Sequence, residues 1–243
     1  NTEKWYGFVY PKNLHKFDEE RIIWSDISIR PQFSIDKNNN WHVRTLCSLE
    51  LNEIGINQGY SLEFLIGIFN SKLLHYYVLN NSNTVRGGYL RYRPQYIKEF
   101  PLPNIIDKGT VDIVVAKVSV IISLTATFKK KNESFCNYLS SQFSIEKLTK
   151  KLQNWHELEF GEFIKELNKA IKKENKERFK NEQTPITILT KLDAMDWMDV
   201  FETKKAEAQA LQQQINQTDK EIDAMVYELY GLTEDEIAIV ENS

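Results

Sequence analysis

No cysteine pair, no glycine-rich nucleotide loop and no catalytic tetrapeptide occurs in this chain, and each absence closes a class of function. Cys47 and Cys136 lie far apart and belong to no Cys-x-x-Cys unit, so neither a zinc ribbon nor a disulfide framework is implied. Both are expected to be small core residues. Histidine is scarce, and His156-Glu157 does not open a metalloprotease helix, because the second histidine would have to stand at Phe160. The chain has no Asn/Asp-Pro-Pro-aromatic tetrapeptide for amino-methyl transfer and no strand-to-helix glycine loop for a nucleotide or S-adenosylmethionine. It also lacks a Gly-x-Ser-x-Gly elbow and an Asp…Glu-x-Lys nuclease centre in a strand setting. It is therefore expected to perform no chemistry alone and to hold neither metal nor cofactor.

Long uninterrupted apolar runs are missing as well. The longest, Val111 to Leu124, is broken by Asp112, Lys117 and Ser119, which argues against a membrane span. The N-terminus shows no basic, apolar, small-residue leader, and the cytoplasm is the default expectation. No methionine precedes Met195, so the expectation is a segment of a longer polypeptide.

What is present is a chain of 243 residues, 42% hydrophobic and 27% charged, which is the balance of a globular protein with a real core. The net charge of −3 is unevenly spread. From Asn80 to Lys98 every formal charge is positive: Arg86, Arg91, Arg93 and Lys98, set among Tyr89, Tyr92 and Tyr96. A local cationic face on a slightly acidic body suits a polyanion dock better than bulk adhesion.

The first part of the chain, to about residue 105, reads as mixed strand and helix. Trp5–Tyr10, Arg21–Trp24 and Trp41–Leu46 are short aromatic and β-branched runs separated by polar turns. Ser61 caps a stretch in which Leu62, Leu65, Ile66, Phe69, Leu73 and Tyr77 recur at helical spacing, predicting one helix from Ser61 to Val78. Its Gly67 suits close approach to a neighbouring element. After Pro101-Leu102-Pro103 helical periodicity takes over, with helices predicted at 111–131, 144–155, 161–179 and 193–230, and a capping box at Thr233 and Glu236 opening a last one.

The helix from Asp193 carries Trp197, Phe201, Lys204, Ala208, Leu211, Ile215, Thr218, Ile222, Met225 and Leu229 at alternating four and three spacing, the a/d seam of a coiled coil. An ordinary bundle helix is the alternative, given Lys204 and Thr218 on that seam. The intramolecular partner is the stripe Val114, Val118, Ile121, Thr125 and Phe128. The fold class expected is α+β: a mixed target-recognition domain at 1–105, then an all-helical region at 106–243 with long coiled-coil-like helices.

Two readings of the basic stretch stand side by side. At a nucleic-acid surface, guanidiniums reach phosphate or bind a guanine edge at two points, and tyrosine packs on sugar or an exposed base. As a plain hairpin, Gly87-Gly88 makes the turn, Tyr89 and Tyr92 pack, and Arg91 and Arg93 face solvent. The candidate contacts are Arg86, Tyr89, Arg91, Tyr92, Arg93, Gln95 and Lys98, with a second set of Arg30, Gln32, Lys37, His42 and Arg44 around the asparagine run 38–40. Single-stranded RNA binding through the tyrosines and partner binding through the helical seam are the other classes left open.

Gly7-Phe8-Val9-Tyr10-Pro11-Lys12-Asn13-Leu14, Arg30-Pro31-Gln32-Phe33-Ser34-Ile35-Asp36, Leu65-Ile66-Gly67-Ile68-Phe69-Asn70-Ser71-Lys72 and Phe100-Pro101-Leu102-Pro103, in that order, resemble the TaqI-like C-terminal specificity domain. The tail from Glu221 to Ile237 is similar to the usual end of such proteins, and the resemblance extends over most of the chain. That family is the target-recognition module of type IIG restriction-modification enzymes and related adenine methyltransferases. The resemblance implies duplex DNA as partner. It also implies an upstream methyltransferase region, with or without an endonuclease, that uses S-adenosylmethionine, and spacer-like helices that dock on that region. It carries over the framework residues 70–72 and 100–103 but no base-contacting position.

Overall fold

The computed structural model describes residues 19–37, 46–104 and 107–243. Strands are short and confined to the N-terminal part: β1 (Arg21–Ser25), β2 (Ile27–Ser28), β3 (Ser34–Asp36) and β4 (Leu46–Leu49), then β5 (Thr84–Val85) and β6 (Tyr89–Arg91). Helices α1 (Glu53–Asn57), α2 (Leu62–Phe69) and α3 (Lys72–Asn81) lie between β4 and β5, and α4 (Pro94–Ile97) follows β6. The rest is helical: α5 (Lys108–Gln142), α6 (Lys150–Gln153), a 3-10 turn at Trp155–Glu157, α7 (Phe160–Lys180), α8 (Lys191–Tyr230) and α9 (Glu234–Glu241). The class is α+β, as expected. The strand expected at Trp5–Tyr10 and all but the last residue of that at Trp41–Leu46 lie outside the described residues.

The chain divides into two compact units, Asn1–Val120 with Thr218–Ser243, and Ile121–Gln217. The first holds two small antiparallel sheets, in the orders β3-β1-β4 and β2-β6-β5. Arg21 faces Asp36 across β1 and β3, and their side chains form a buried ion pair at 2.9 Å, each 1% exposed. Trp24 stacks on Phe33 at 5.0 Å, and Phe33 leans on Phe69 of α2 at 5.3 Å, so the sheet rests on the helix through aromatic rings.

The single helix predicted from Ser61 to Val78 is two helices. Asn70 uses its amide twice on Phe33, accepting from the backbone N–H at 2.8 Å and donating to the carbonyl at 2.9 Å. Ser71 then caps α3, accepting from Leu74 N–H. Side-chain bonds to main chain at these two positions compete with helix continuation, which periodicity alone does not register. Gly67 behaves as expected: a Cβ there would come within 3.0 Å of Val118 and 3.1 Å of Val114, so α2 and α5 touch at this point.

By length and apolar content α5 would reach across a bilayer, with mean hydropathy 1.9 over an 18-residue window, despite the charges on which the sequence reading relied. In the fold Val111, Val114 and Val118 are buried and Lys117 pairs with Glu221 of α8 at 2.6 Å, so that side of the helix is a protein contact.

The second unit is built on an aromatic core of Phe135, Phe143, Trp155, Phe163 and Phe201, with Leu139, Leu152 and Leu167 among them. Phe163 stacks on Phe201 at 4.5 Å, and Phe135 meets Trp155 at 4.2 Å. Two asparagines one heptad apart on α7 clasp the chain leading into α8: Asn175 exchanges two bonds with Ile186 and Asn168 two with Leu189. Within this unit Lys131 of α5 bonds Glu207 of α8 at 2.6 Å.

Phe201, Ala208, Thr218 and Ile222 of the expected α8 seam are buried, but the seam departs from expectation at two places. Lys205 rather than Lys204 is buried, bonded to Glu159 at 2.9 Å, and Val226 rather than Met225 is fully covered. Lysine can sit on an apolar stripe when its stem packs and its ammonium reaches a carboxylate at the edge.

Candidate nucleic-acid interface

The basic stretch folds as a hairpin. β5 and β6 pair antiparallel, with Thr84 opposite Leu90 and Val85 opposite Tyr89. Gly87 and Gly88 take φ of 93° and 79°, a left-handed pair that side chains beyond glycine adopt only with strain. Arg86 stands exposed at this turn.

From Tyr89 to Arg93 burial alternates strictly, because successive strand side chains point to opposite faces. Leu90 and Tyr92 go inward at 2% and 1% exposure, while Tyr89, Arg91 and Arg93 remain outward. The two sequence readings therefore both describe part of the same element: it is a hairpin, and its outer face is cationic and aromatic. Burying Leu90 and Tyr92 supplies about 1.5–3 kcal/mol each to hold that face in place.

Tyr92 is thereby corrected from a candidate contact to a core residue. Its hydroxyl lies 2.8 Å from His75 Nδ1, its carbonyl accepts from Trp24 Nε1 at 2.5 Å, and its ring meets Phe33 edge-on. Burial pushes the phenol well above its ordinary value and pushes the His75 imidazole down, so desolvation favours the uncharged form of both groups in this contact.

Arg91 and Arg93 converge on a single carboxylate that the sequence reading missed. Asp26 Oδ2 lies 3.3 Å from Arg91 Nη1, and Oδ1 lies 3.4 Å from Arg93 Nε. Asp26 precedes β2, which pairs with β6 so that Ile27 faces Arg91 and Ser28 faces Leu90. The stretch is acid-free along the chain but not in space, since Asp26 lies 65 positions from Arg91. The Cys47 thiol, raised chiefly by burial, senses both Asp26 and Arg93.

Ile27 and Ile29 were also missed. They are 40% and 57% exposed, as Tyr89 is at 40%, and Ile27 lies opposite Arg91. Apolar groups on a basic face can meet a thymine methyl or the edge of a base step. The signal for them was the alternation Ile27-Ser28-Ile29-Arg30, which continues the strand pattern past Trp24.

The remaining candidates are dispersed. Arg30 is exposed just beyond β2 and close enough to Asp219 to oppose the burial that raises that carboxyl. Gln32 and Gln95 are exposed. Lys37 is exposed and pairs with Glu63 of α2 at 3.2 Å, and Lys98 with its neighbour Glu99 at 3.4 Å. His42 and Arg44 lie outside the described residues. Among the described residues there is no cluster of three metal-ligating side chains.

Comparison with known proteins gives matches to two family models and to a curated relative. Residues 2–102 match the TaqI-like C-terminal specificity domain, and residues 108–226 match a domain of unknown function (DUF8810). The resemblance read over most of the chain thus falls within its N-terminal part for the first family, and most of the helical remainder matches a different one. A curated relative, the type II methyltransferase M.BanIII of Aneurinibacillus aneurinilyticus, is 31% identical over 108 residues, covering 41% of this chain. The matched stretch spans 17% of that relative's length. The match at residues 2–102 bears out the resemblance to the TaqI-like C-terminal specificity domain that the order of the N-terminal motifs implied.

Proposed function

We propose that this chain is the specificity part of a restriction-modification DNA methyltransferase, and that residues 1–105 recognise a short asymmetric sequence in double-stranded DNA. Residues 106–243 orient that domain toward a methyltransferase region that uses S-adenosylmethionine and acts on adenine, with or without a fused endonuclease, in the cytoplasm. The specificity-domain match at 2–102, and a separate match beginning at 108, support the division near residue 105.

The observation that carries the reading is the outward row Tyr89, Arg91, Arg93 with Arg86 at the adjoining turn. In the major groove an arginine can bind O6 and N7 of guanine together. Removing such an arginine costs about 1–3 kcal/mol and relaxes one base pair, whereas removing one that holds a phosphate weakens all sequences alike.

The test is selection from a random-sequence duplex library with the full chain. One asymmetric motif is expected to be enriched. Replacing Arg86, Arg91 and Arg93 together by alanine is expected to abolish enrichment and flatten the salt dependence by roughly one unit for every phosphate the variant can no longer neutralise. Unchanged affinity and salt slope in that variant would remove the hairpin from the interface.

A protein-interaction module is the second reading, favoured by Ile113 and Val120 on α5, which are 54% and 48% exposed. It is distinguished by retention of no duplex in the same selection.

A further inference from the structure

We infer that Asp26 is a positioning residue of the interface, holding Arg91 and Arg93 as a preset pair of donor forks; the inference rests on the DNA reading above and adds the group that aims its arginines.

The backbone fixes where this carboxylate sits. Tyr92 N–H donates to the Asp26 carbonyl at 2.7 Å, and Tyr92 is the buried residue between the two arginines. Asp26 is therefore pinned opposite the midpoint of the pair, with one guanidinium on either side of its carboxylate. Any rotation of the hairpin against β2 would break this bond and the register Ile27 with Arg91 together.

The ion pairs are spaced in a way that leaves the arginines usable. At 3.3 and 3.4 Å both exceed the roughly 2.7–2.9 Å of a tight ammonium or guanidinium bond to carboxylate. Asp26 Oδ1 is buried and accepts no hydrogen bond among the described residues. Each guanidinium commits a single nitrogen: Arg93 its Nε and Arg91 its Nη1. Arg93 therefore keeps its terminal pair of nitrogens, and Arg91 keeps its Nε and Nη2 edge, for two-point contact with a base edge or a phosphate.

The arrangement also sets the charge. One carboxylate between two guanidiniums leaves this part of the face with a single net positive charge instead of two. That lowers the attraction for any polyanion while restricting the direction in which each donor fork points. An anion on a DNA-facing surface lowers affinity in general, so direction is the property it can add.

The experiment compares the wild-type chain with Asp26→Asn and Asp26→Glu, measuring Kd for the duplex that wild type enriches and for a scrambled duplex of equal length and composition. Asp26→Asn is expected to bind the scrambled duplex several-fold more tightly and to steepen the salt slope by about one unit, because an anion has been removed. Its preference for the enriched duplex is expected to fall about tenfold, because the guanidiniums are no longer directed. Asp26→Glu keeps the charge but displaces the carboxylate, and is expected to lose preference at unchanged slope. A tether with no role in recognition would lower the melting temperature and leave the preference within about twofold of wild type, which overturns the inference.

Should Asp26→Asn fail to fold, Asp26→Glu decides the matter, since it keeps the charge and displaces the carboxylate: reduced preference at unchanged slope supports positioning, and unchanged preference overturns it. Failure of wild type to enrich any motif overturns the DNA reading itself, a result separable from all of these.

Discussion

Two arginine–aspartate contacts in the same compact unit are chemically alike and physically opposite. Arg21 and Asp36 face each other across β1 and β3 at 2.9 Å, both 1% exposed. Arg91 and Arg93 share Asp26 beside β6 at 3.3 and 3.4 Å, with side chains 25–45% exposed. In the first case water is excluded from both charges, so breaking the pair is costly; in the second, solvent reaches both arginines and the longer contact is weak enough to exchange. Burial, not residue type, separates a structural pair from a presented one.

Breaking the buried pair gives the largest expected effect. Asp36→Ala leaves a guanidinium with one of its buried partners missing and is expected to cost about 3–5 kcal/mol in urea denaturation. A drop in stability under about 1 kcal/mol would erase the contrast between the two sheets.

A third carboxylate sharpens the comparison because it is buried without an arginine. Asp223 of α8 is 4% exposed and accepts from Lys72 N–H at 2.9 Å. Burial raises its pKa to about 6, with Asp219 and Glu241 adding to the rise and the Lys72 backbone bond and ammonium opposing it. The folded state thus holds this proton more tightly than the unfolded chain. The associated stability is fully present below about pH 4 and is lost as pH rises through 6. Asp223→Asn is expected to flatten that dependence in thermal melts between pH 4 and 8, and to be more stable than wild type by about 1–3 kcal/mol above pH 7. A variant less stable than wild type at pH 8 would show that the ionised form is the one the fold prefers.

Tyr92→Phe tests the inner side of the hairpin. It keeps the ring and removes the bond to His75, with an expected cost of about 1 kcal/mol and no change in DNA preference. The smallest effect is expected for the stability of Asp26→Asn, under about 1 kcal/mol in the same denaturation assay, as befits a solvent-screened pair.

Much of the architecture could be read from the chain. The stretch Arg21–Trp24 is β1, the Gly87-Gly88 pair is a turn, the Thr233 and Glu236 capping box opens α9, and periodicity located α5, α7 and α8. These features depend on near neighbours, so local pattern suffices. The break at Asn70-Ser71 was missed because what stops the helix is a bond to Phe33, 37 positions away. The burial of Lys205 in place of Lys204 on the α8 seam was missed because the carboxylate it reaches, Glu159, lies 46 positions away.

The candidate site was legible in part for the same reason. Composition singled out Arg86, Arg91 and Arg93, and strand alternation could have placed Tyr92 inward. Asp26 and Ile27 join the face only where β2 and the residue before it meet β6.

The sequence by itself determined the first strand, the long helices, where the turn of the hairpin falls, and that positive charge gathers at one place along the chain. Only the tertiary structure decided which of those charges are shared with an aspartate from the distant bend between β1 and β2, and which tyrosine belongs to the core. Helix and strand propensity are short-range, whereas the fate of a charged or aromatic side chain depends on what the fold brings opposite it and how much water remains between them.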